Sequence, residues 1–348
     1  MTRRSNTGRG YHLNHYFFYK HFACCASAAT LTAFLQFPAF VCSCTPVWEA
    51  LRPQQRTQIY IQWSKNPIPD AIDLFFYDTL GARKLDSYQQ ILPSAGEGPV
   101  YGLSGPGAKR LVALSGTVGS LPYWQEIDTY GNLCKLSFSL EREQPESPLL
   151  AGECLLEDGV SRLADLPLQT SLCAIRIRSV SCDFSDRPYA NYPFRNNKLF
   201  LSYAGTECHP LNPGDGYPVS WINPGRLDSA AVRRLPRPEM VLQEGLGELG
   251  PERCYPPNLV FYCYANPARE SSMGQPVTHL VLEGDIGPVH CYYPIPLPGL
   301  EAARCYQLDI TLRRMGSPDP DIPTHSGSFL LEHQVLPWET YAPYTVLF

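Results

Sequence analysis

The residue types that carry out catalysis occur in this chain without the spacing that most enzymes need. Gly245, Gly247 and Gly250 have the spacing of a dinucleotide-binding loop. Pro251 follows them directly, where such a site requires a helix N-terminus to bind the phosphate. The sequence also lacks the Gly-x-Ser-x-Gly motif that presents the nucleophile of many serine hydrolases. These features favour a protein that is not an enzyme.

The side chains that commonly bind metals are scattered. His290 lies beside Cys291, but the sequence contains neither a His-Glu-x-x-His motif nor a Cys-x-x-Cys motif. Asp319 and Asp321 alternate with prolines, which is more typical of a stiff turn than of a calcium site. We therefore expect no metal and no cofactor.

One cysteine near the N-terminus has a context suited to lipid attachment. Residues 22–41 contain no charged side chain and follow four basic residues, which is typical of an export signal. Residues 41–44, Val-Cys-Ser-Cys, come next and resemble a bacterial lipobox, in which a cysteine is acylated and becomes the new N-terminus. The sequence thus predicts a signal peptide at 1–43 and a lipid on Cys44. The alternative is an uncleaved signal anchor in which Cys44 is one more apolar residue.

The charge balance limits the partners of the processed chain. The whole sequence has 28 basic and 33 acidic residues, and its pI is about 5.9. Removal of residues 1–43 takes away four basic residues and no acidic one, so the net charge falls to −9. An acidic surface disfavours binding to nucleic acid and to anionic lipids, so we expect membrane contact through the lipid alone.

Nine cysteines remain after residue 44, and their number and spacing define no disulfide framework. Because nine is odd, at least one thiol stays free or pairs outside the chain. Several of these cysteines alternate with apolar residues in strand-like runs, where a small buried side chain is the simplest interpretation.

Alternation of apolar and polar residues predicts short strands along most of the chain. The most regular example is 305–313, and similar runs occupy 57–63, 71–77, 110–118, 133–140, 173–178, 198–203, 259–264, 279–283, 289–293 and 328–335. Residues 155–165 form the one modest helical pattern. Such a series indicates an all-β chain, most simply two antiparallel β-sandwiches in tandem. We place the boundary after Ala164, which gives domains at 44–164 and 165–348.

A distinctive set of residues lies in the second half of the sequence. Arg304-Cys305-Tyr306 stands at the start of the strand predicted at 305–313, and the turn 315–321 and Pro337-Trp338 follow. Together with the upstream residues 260–267, 278–284 and 292–295, in this order, they resemble the fimbrillin, or type V pilin, superfamily over about residues 255–338. In the first half, residues 72–77 with Gly81 and residues 111–114 are compatible with it.

This resemblance implies a fold, a location and a mode of assembly. It implies two transthyretin-like β-sandwich domains, export as a lipoprotein to the outer membrane, and polymerisation or capping at the cell surface by strand exchange with other fimbrial subunits. In the family, the first strand of the N-terminal domain is released by proteolysis after an arginine. Arg56, which we expect just before the strand that begins at Thr57, is the best-placed candidate, and Arg52 is the alternative.

The function expected from the resemblance is that of an accessory, tip or anchor subunit of a fimbrium that supports adhesion to a host or bacterial surface ligand. A different function remains open, which is that of a lipid-anchored glycan-binding protein that does not polymerise. Its sugar platform would be four tyrosines, namely Tyr262, Tyr264, Tyr292 and Tyr293. Such aromatics are more often cross-strand pairs in the core.

Overall fold

Strands make up nearly all of the regular structure, so the all-β prediction is confirmed. The computed structural model describes residues 54–62, 69, 71–92, 99–116, 126–159, 162–211, 216–222, 229–235, 237–250, 259–320, 322, 324–325 and 327–338. Cys44, Arg52 and the predicted signal peptide at 1–43 lie outside this part of the chain. All described residues belong to a single unit that spans Leu51–Phe348.

Two facing sheets form the first sandwich. A three-stranded sheet has the order β4-β1-β8, and a five-stranded sheet has the order β3-β2-β5-β7-β9. Their strands are β1 Gln55–Gln62, β2 Ile72–Asp78, β3 Leu85–Ile91, β4 Val100–Ser104, β5 Lys109–Ser115, β7 Leu150–Leu156, β8 Arg162–Pro167 and β9 Gln169–Thr170.

The five-stranded sheet buries both of its faces around β2. Leu74 and Phe76 point towards the three-stranded sheet. Phe75 and Tyr77 point the other way, into a smaller cluster that the short helix α1, Tyr130–Leu133, covers. The continuous apolar run in β2 is therefore explained by burial on two sides, which a strand with one wet face does not require.

The second sandwich contains a seven-stranded and a four-stranded sheet. The orders are β13-β12-β15-β10-β18-β19, with β6 attached to β12, and β14-β11-β16-β17. The strands are β6 Phe138–Ser139, β10 Leu172–Cys182, β11 Phe194–Ser202, β12 Ala204–Cys208, β13 Ser220–Ile222, β14 Leu242–Glu244, β15 Leu259–Tyr264, β16 His279–Ile286, β17 Val289–Pro296, β18 Arg304–Leu312 and β19 Phe329–Pro337. Helix α2, Ser229–Val232, and two short 3₁₀ helices, Leu140–Arg142 and Pro238–Met240, complete the described elements.

The pairing is antiparallel with two exceptions that the sequence did not predict. Strand β1 runs parallel to β8, and β10 runs parallel to β18. Parallel neighbours need long crossover connections, and in both cases most of a sandwich lies between the two strands. Alternation of side chains predicts a strand but carries no information about the direction of its neighbour.

Two local predictions were wrong. Residues 133–140 form the end of α1 and the two-residue strand β6, because Thr129 caps the helix by accepting a hydrogen bond from the Asn132 N–H. Residues 155–165, predicted as helical, form the end of β7 and most of β8. The expected boundary at 164/165 falls inside β8, which pairs with β1 along its whole length.

A segment from the first half of the chain packs onto the second sandwich. Phe138 and Ser139 pair with β12, and Leu140 lies in the core of the second sandwich. The buried carboxylate of Glu143 accepts hydrogen bonds from the Tyr264 hydroxyl at 2.8 Å and from the Leu149 N–H at 3.1 Å. Burial raises the pKa of Glu143, and these two hydrogen bonds partly oppose the effect.

A buried ammonium group ties the edge of the first sandwich together. Lys109 on β5 is 2% exposed, and its Nζ lies 2.5 Å from Asp78 Oδ1 and 3.0 Å from Asp86 Oδ1. Asp86 also accepts a hydrogen bond from the Gly105 N–H at 2.6 Å, directly after β4. Three strands of one sheet and the end of β4 therefore share one charge network.

We predict that Lys109→Met lowers the free energy of unfolding by about 3–5 kcal/mol, because it leaves Asp86, which is only 11% exposed, without its cation. Urea unfolding measured by circular dichroism tests this. Arg178→Met is the control, since Arg178 pairs with Asp309 at the surface and is 46% exposed. Little change is expected there. Equal losses in the two variants would contradict the interpretation.

We also predict that the stability of the wild type falls, relative to Glu143→Gln, as the pH rises above about 4.5. The folded-state pKa of Glu143 is raised, so its stabilising effect is full below the unfolded value and is lost as the pH rises through the folded value. Glutamine stays neutral, accepts from Leu149 and donates to the Tyr264 oxygen. Unfolding in urea across a pH series measures the difference, with the exposed Glu141→Gln as control.

Candidate functional site

Strand β1 is the middle strand of the three-stranded sheet and lies between β4 and β8. We call the space that it fills the β1 slot. Residues 55–59 pair with β4 in the antiparallel direction, and residues 57–62 pair with β8 in the parallel direction. Removal of β1 would therefore expose a backbone edge on each neighbour and open the core between them.

Side chains of β1 alternate between this core and the outer surface. Thr57 and Ile59 are fully buried, and Ile61 packs against the same cluster. Tyr60 is 40% exposed on the other face. The period of two arises because successive side chains of a strand point to opposite faces. Burial of Ile59 alone stabilises the strand by roughly 1.5–3 kcal/mol.

The slot is closely packed at one point. Gly102 on β4 lies opposite Thr57, and a Cβ atom on Gly102 would overlap the Phe76 ring and lie 3.1 Å from Ile59 Cδ1. Glycine at this position thus allows the Phe76 ring to lie directly under β4. The Phe76 ring therefore forms part of the floor of the slot.

Strand β1 nevertheless fits its slot imperfectly. The Thr57 hydroxyl oxygen and the Gln55 side-chain oxygen are buried, and neither has a hydrogen-bond partner among the residues that the structure describes. A buried polar group without a partner costs about 1–3 kcal/mol. Both atoms belong to residues of β1, so the free-energy cost arises in this strand.

The predicted processing site lies within β1. Arg56 is the second residue of the strand, not the residue before it, and it pairs with Leu103. Its guanidinium carbon lies 3.6 Å from the centre of the Tyr101 ring, which is a cation–π contact. Cleavage after Arg56 would leave residues 57–62 joined to the chain, so it would shorten β1 and remove that contact without releasing the whole strand.

The four tyrosines of the predicted sugar platform do not form an exposed surface. Tyr264 and Tyr293 are fully buried in the core of the second sandwich, and Tyr262 and Tyr292 are partly buried. Tyr293 donates a hydrogen bond to the Arg314 carbonyl at 2.6 Å. These four side chains therefore do not form the sugar platform that the alternative function would need, and Tyr264 and Tyr293 are core aromatics.

A polar cluster surrounds His290 on the four-stranded sheet. The His290 Nδ1 atom lies 2.6 Å from Asp285 Oδ1, and Lys198 Nζ lies 2.6 Å from Glu283 Oε1. The Asn196 amide donates to Asp285 at 2.8 Å, and this bond, followed by the one from His290, lowers the pKa of Asp285. Within the described ranges, no group of three or more histidine, cysteine or acidic side chains has an arrangement suited to a metal ion.

Two further features concern the whole described part of the chain. None of its helices has the length and apolar character needed to cross a bilayer. Its eight described cysteines are all free thiols, seven of them are buried, and six of these lie in the core of the second sandwich.

The fold has counterparts among solved structures. A proposed cell adhesion protein from Bacteroides eggerthii DSM 20697 superimposes with a TM-score of 0.60 and 14% identity, over 82% of this chain and 96% of the other. A fimbrilin from Porphyromonas gingivalis W83 gives a TM-score of 0.54 and 13% identity, over 82% and 97%. A proposed cell adhesion protein from Parabacteroides distasonis ATCC 8503 gives 0.54 and 13%, over 82% and 98%.

These likenesses show that the chain has a fimbrillin-like fold, as the sequence resemblance implied. No protein-family profile and no curated protein matches the sequence. The structural likeness extends across both sandwiches, whereas the sequence resemblance was firm only in the second.

We predict that Thr57→Val raises the free energy of unfolding by roughly 1–2 kcal/mol, because it keeps the shape of threonine and removes the buried hydroxyl without a partner. Thr57→Ser is the matched control, since it keeps the hydroxyl and loses a methyl group, and we expect a loss of about 1 kcal/mol. Both values come from urea unfolding curves. A loss of stability in Thr57→Val would show that the hydroxyl is satisfied.

Proposed function

We propose that this chain is a non-enzymatic fimbrial subunit of the cell surface that assembles by β-strand exchange at the position of β1. The observation that carries this proposal is the poor match between β1 and its slot, where the buried Thr57 hydroxyl and Gln55 side-chain oxygens lack partners among the described residues. A strand from another subunit with apolar residues at those positions would avoid this cost.

The geometry of the slot defines the incoming strand. To keep the same hydrogen bonds, it must run antiparallel to β4 and parallel to β8, in the direction of β1. It must also place apolar side chains at the positions of Thr57, Ile59 and Ile61. Adhesion and fimbrial proteins with this fold support the assignment to this class.

The proposed location and processing follow from the sequence. A lipid on Cys44 would hold the chain at the outer membrane, which suits an anchor or accessory subunit. Cleavage after Arg52 would instead remove the lipid together with the segment before β1. Cleavage after Arg56 would also remove Gln55 and Arg56, which pair with β4, and would weaken the N-terminal end of the strand.

A disulfide staple across β1 and β4 tests strand exchange directly. Gln58 and Tyr101 lie opposite each other in the antiparallel pair, at a Cα separation that suits a disulfide. We expect the double variant Gln58→Cys/Tyr101→Cys, produced in the native host, to lose its SDS-resistant ladder with other subunits when oxidised. Treatment with reductant before assembly should restore it.

The single variants Gln58→Cys and Tyr101→Cys are the matched controls and should assemble like the wild type. A ladder that persists with the oxidised staple would show that β1 is not the exchanged strand. A wild type that binds glycans and forms no ladder would favour the non-polymerising surface protein instead.

The proposed outer-membrane location is tested by the intact mass and the N-terminal sequence of the wild-type protein recovered from the surface fraction of its host. A start at acylated Cys44 supports a retained anchor, and a start after Arg52 or Arg56 supports processing. Residues 1–43 still attached would contradict the lipoprotein assignment.

A further inference from the structure

Two cysteines face each other at the centre of the seven-stranded sheet. Cys173 on β10 lies opposite Cys263 on β15 in the antiparallel register. Their sulfur atoms are 3.5 Å apart, and both side chains are fully buried. Directly opposite residues of antiparallel strands have Cα separations of about 4.5–5.5 Å, which lie within the range of disulfides.

The register separates this pair from the other strand cysteines that the structure describes. On their paired strands these face a residue other than cysteine: Cys154 faces Leu111, Cys182 faces Leu312, Cys208 faces Phe138, Cys291 faces Gly284, and Cys305 faces Ala174 and Leu336. Cys305 lies on β18, the other neighbour of β10, but it is opposite Ala174 and is therefore displaced by one residue from Cys173.

We propose that Cys173 and Cys263 form a cross-strand disulfide when the chain folds under oxidising conditions. One S–S bond forms and two S–H bonds break. The two thiols lose two electrons and two protons to the disulfide of a dithiol oxidase or of oxidised glutathione, which leaves as two thiols. The cell would supply such conditions outside the cytoplasm, so occurrence in the cell rests on the export included in the proposed function.

Burial determines when this bond forms. The hydrogen bond with Cys263, together with burial, raises the pKa of Cys173, and only a thiolate attacks a disulfide efficiently. Oxidation therefore occurs while β10 and β15 pair, before the sandwich closes. Once formed, the bond is shielded from reductants in solution. It would link the strand that begins the second sandwich to a neighbour 90 residues further along the chain.

Peptide mapping tests the proposal on two samples of the full chain. One is refolded in a glutathione redox buffer, and the other is recovered from the surface fraction of the host. Free thiols are blocked with N-ethylmaleimide in acidic denaturant without reduction, and the protein is digested with trypsin. We expect peptide 163–176 linked to peptide 254–269.

Cys254 lies in the same tryptic peptide as Cys263, so two variants are needed. The link should persist in Cys254→Ala and disappear in Cys263→Ala. The oxidised wild type should also unfold at a higher urea concentration than Cys263→Ala, and reduction in denaturant before refolding should remove that difference.

Both cysteines alkylated after refolding, or a link that survives in Cys263→Ala, would overturn the proposal. A link in the refolded sample with free thiols in the host sample would support the disulfide site and contradict export. Failure of the disulfide proposal and failure of the export proposal therefore give different results in the two samples.

Discussion

The apolar face of the five-stranded sheet in the first sandwich must be covered, and β1 is the central strand of the sheet that covers it. Leu74 and Phe76 form much of this face, and Ile59 lies against them. Without a strand at this position, β4 and β8 would be separated and the cluster would be open to water. The whole first sandwich thus depends on a strand that contains a buried hydroxyl without a partner. Strand β1 is held both by its pairing with two neighbours and by the burial of Ile59.

Polar groups in the core fix the parts of the fold that apolar packing leaves undetermined. Lys109 joins Asp78 and Asp86, and Asp86 in turn holds the backbone after β4. Glu143 joins the segment that follows β6 to Tyr264 on β15. In both cases a charged or ionisable side chain is nearly inaccessible and is satisfied by specific partners, so a shift of register would leave it unpaired. These contacts keep one wall of the β1 slot in place and attach the first half of the chain to the second sandwich.

The two sandwiches differ in how firmly their central strands are held. Strand β1 is short and has a partly exposed outer face. Strand β10 has eleven residues, pairs with both β15 and β18, and faces a core of fully buried side chains. The second sandwich therefore has a continuous central sheet whose pairing does not involve β1.

Much of the fold was predictable from local sequence, and the candidate site was not. Alternation predicted β1, β2, β5, β10, β11 and β15–β19, because the period of two is a property of the strand itself and is written into neighbouring residues. It missed β3, β4, β7, β8, β9 and β12–β14. In β3, for example, no side chain is fully buried, and the strand is placed by its pairing with β2. It also misassigned residues 133–140 and 155–165, where a helix cap and a parallel partner outweigh the local pattern. Arg56 and Thr57 were visible in the sequence, but nothing local shows that one contacts Tyr101 or that the other is buried without a partner. The sequence by itself determined that the chain is all-β, since strand periodicity is local. Only the tertiary structure decided which strand fits poorly and which cysteines meet, because both depend on residues far apart in the chain that pairing brings together.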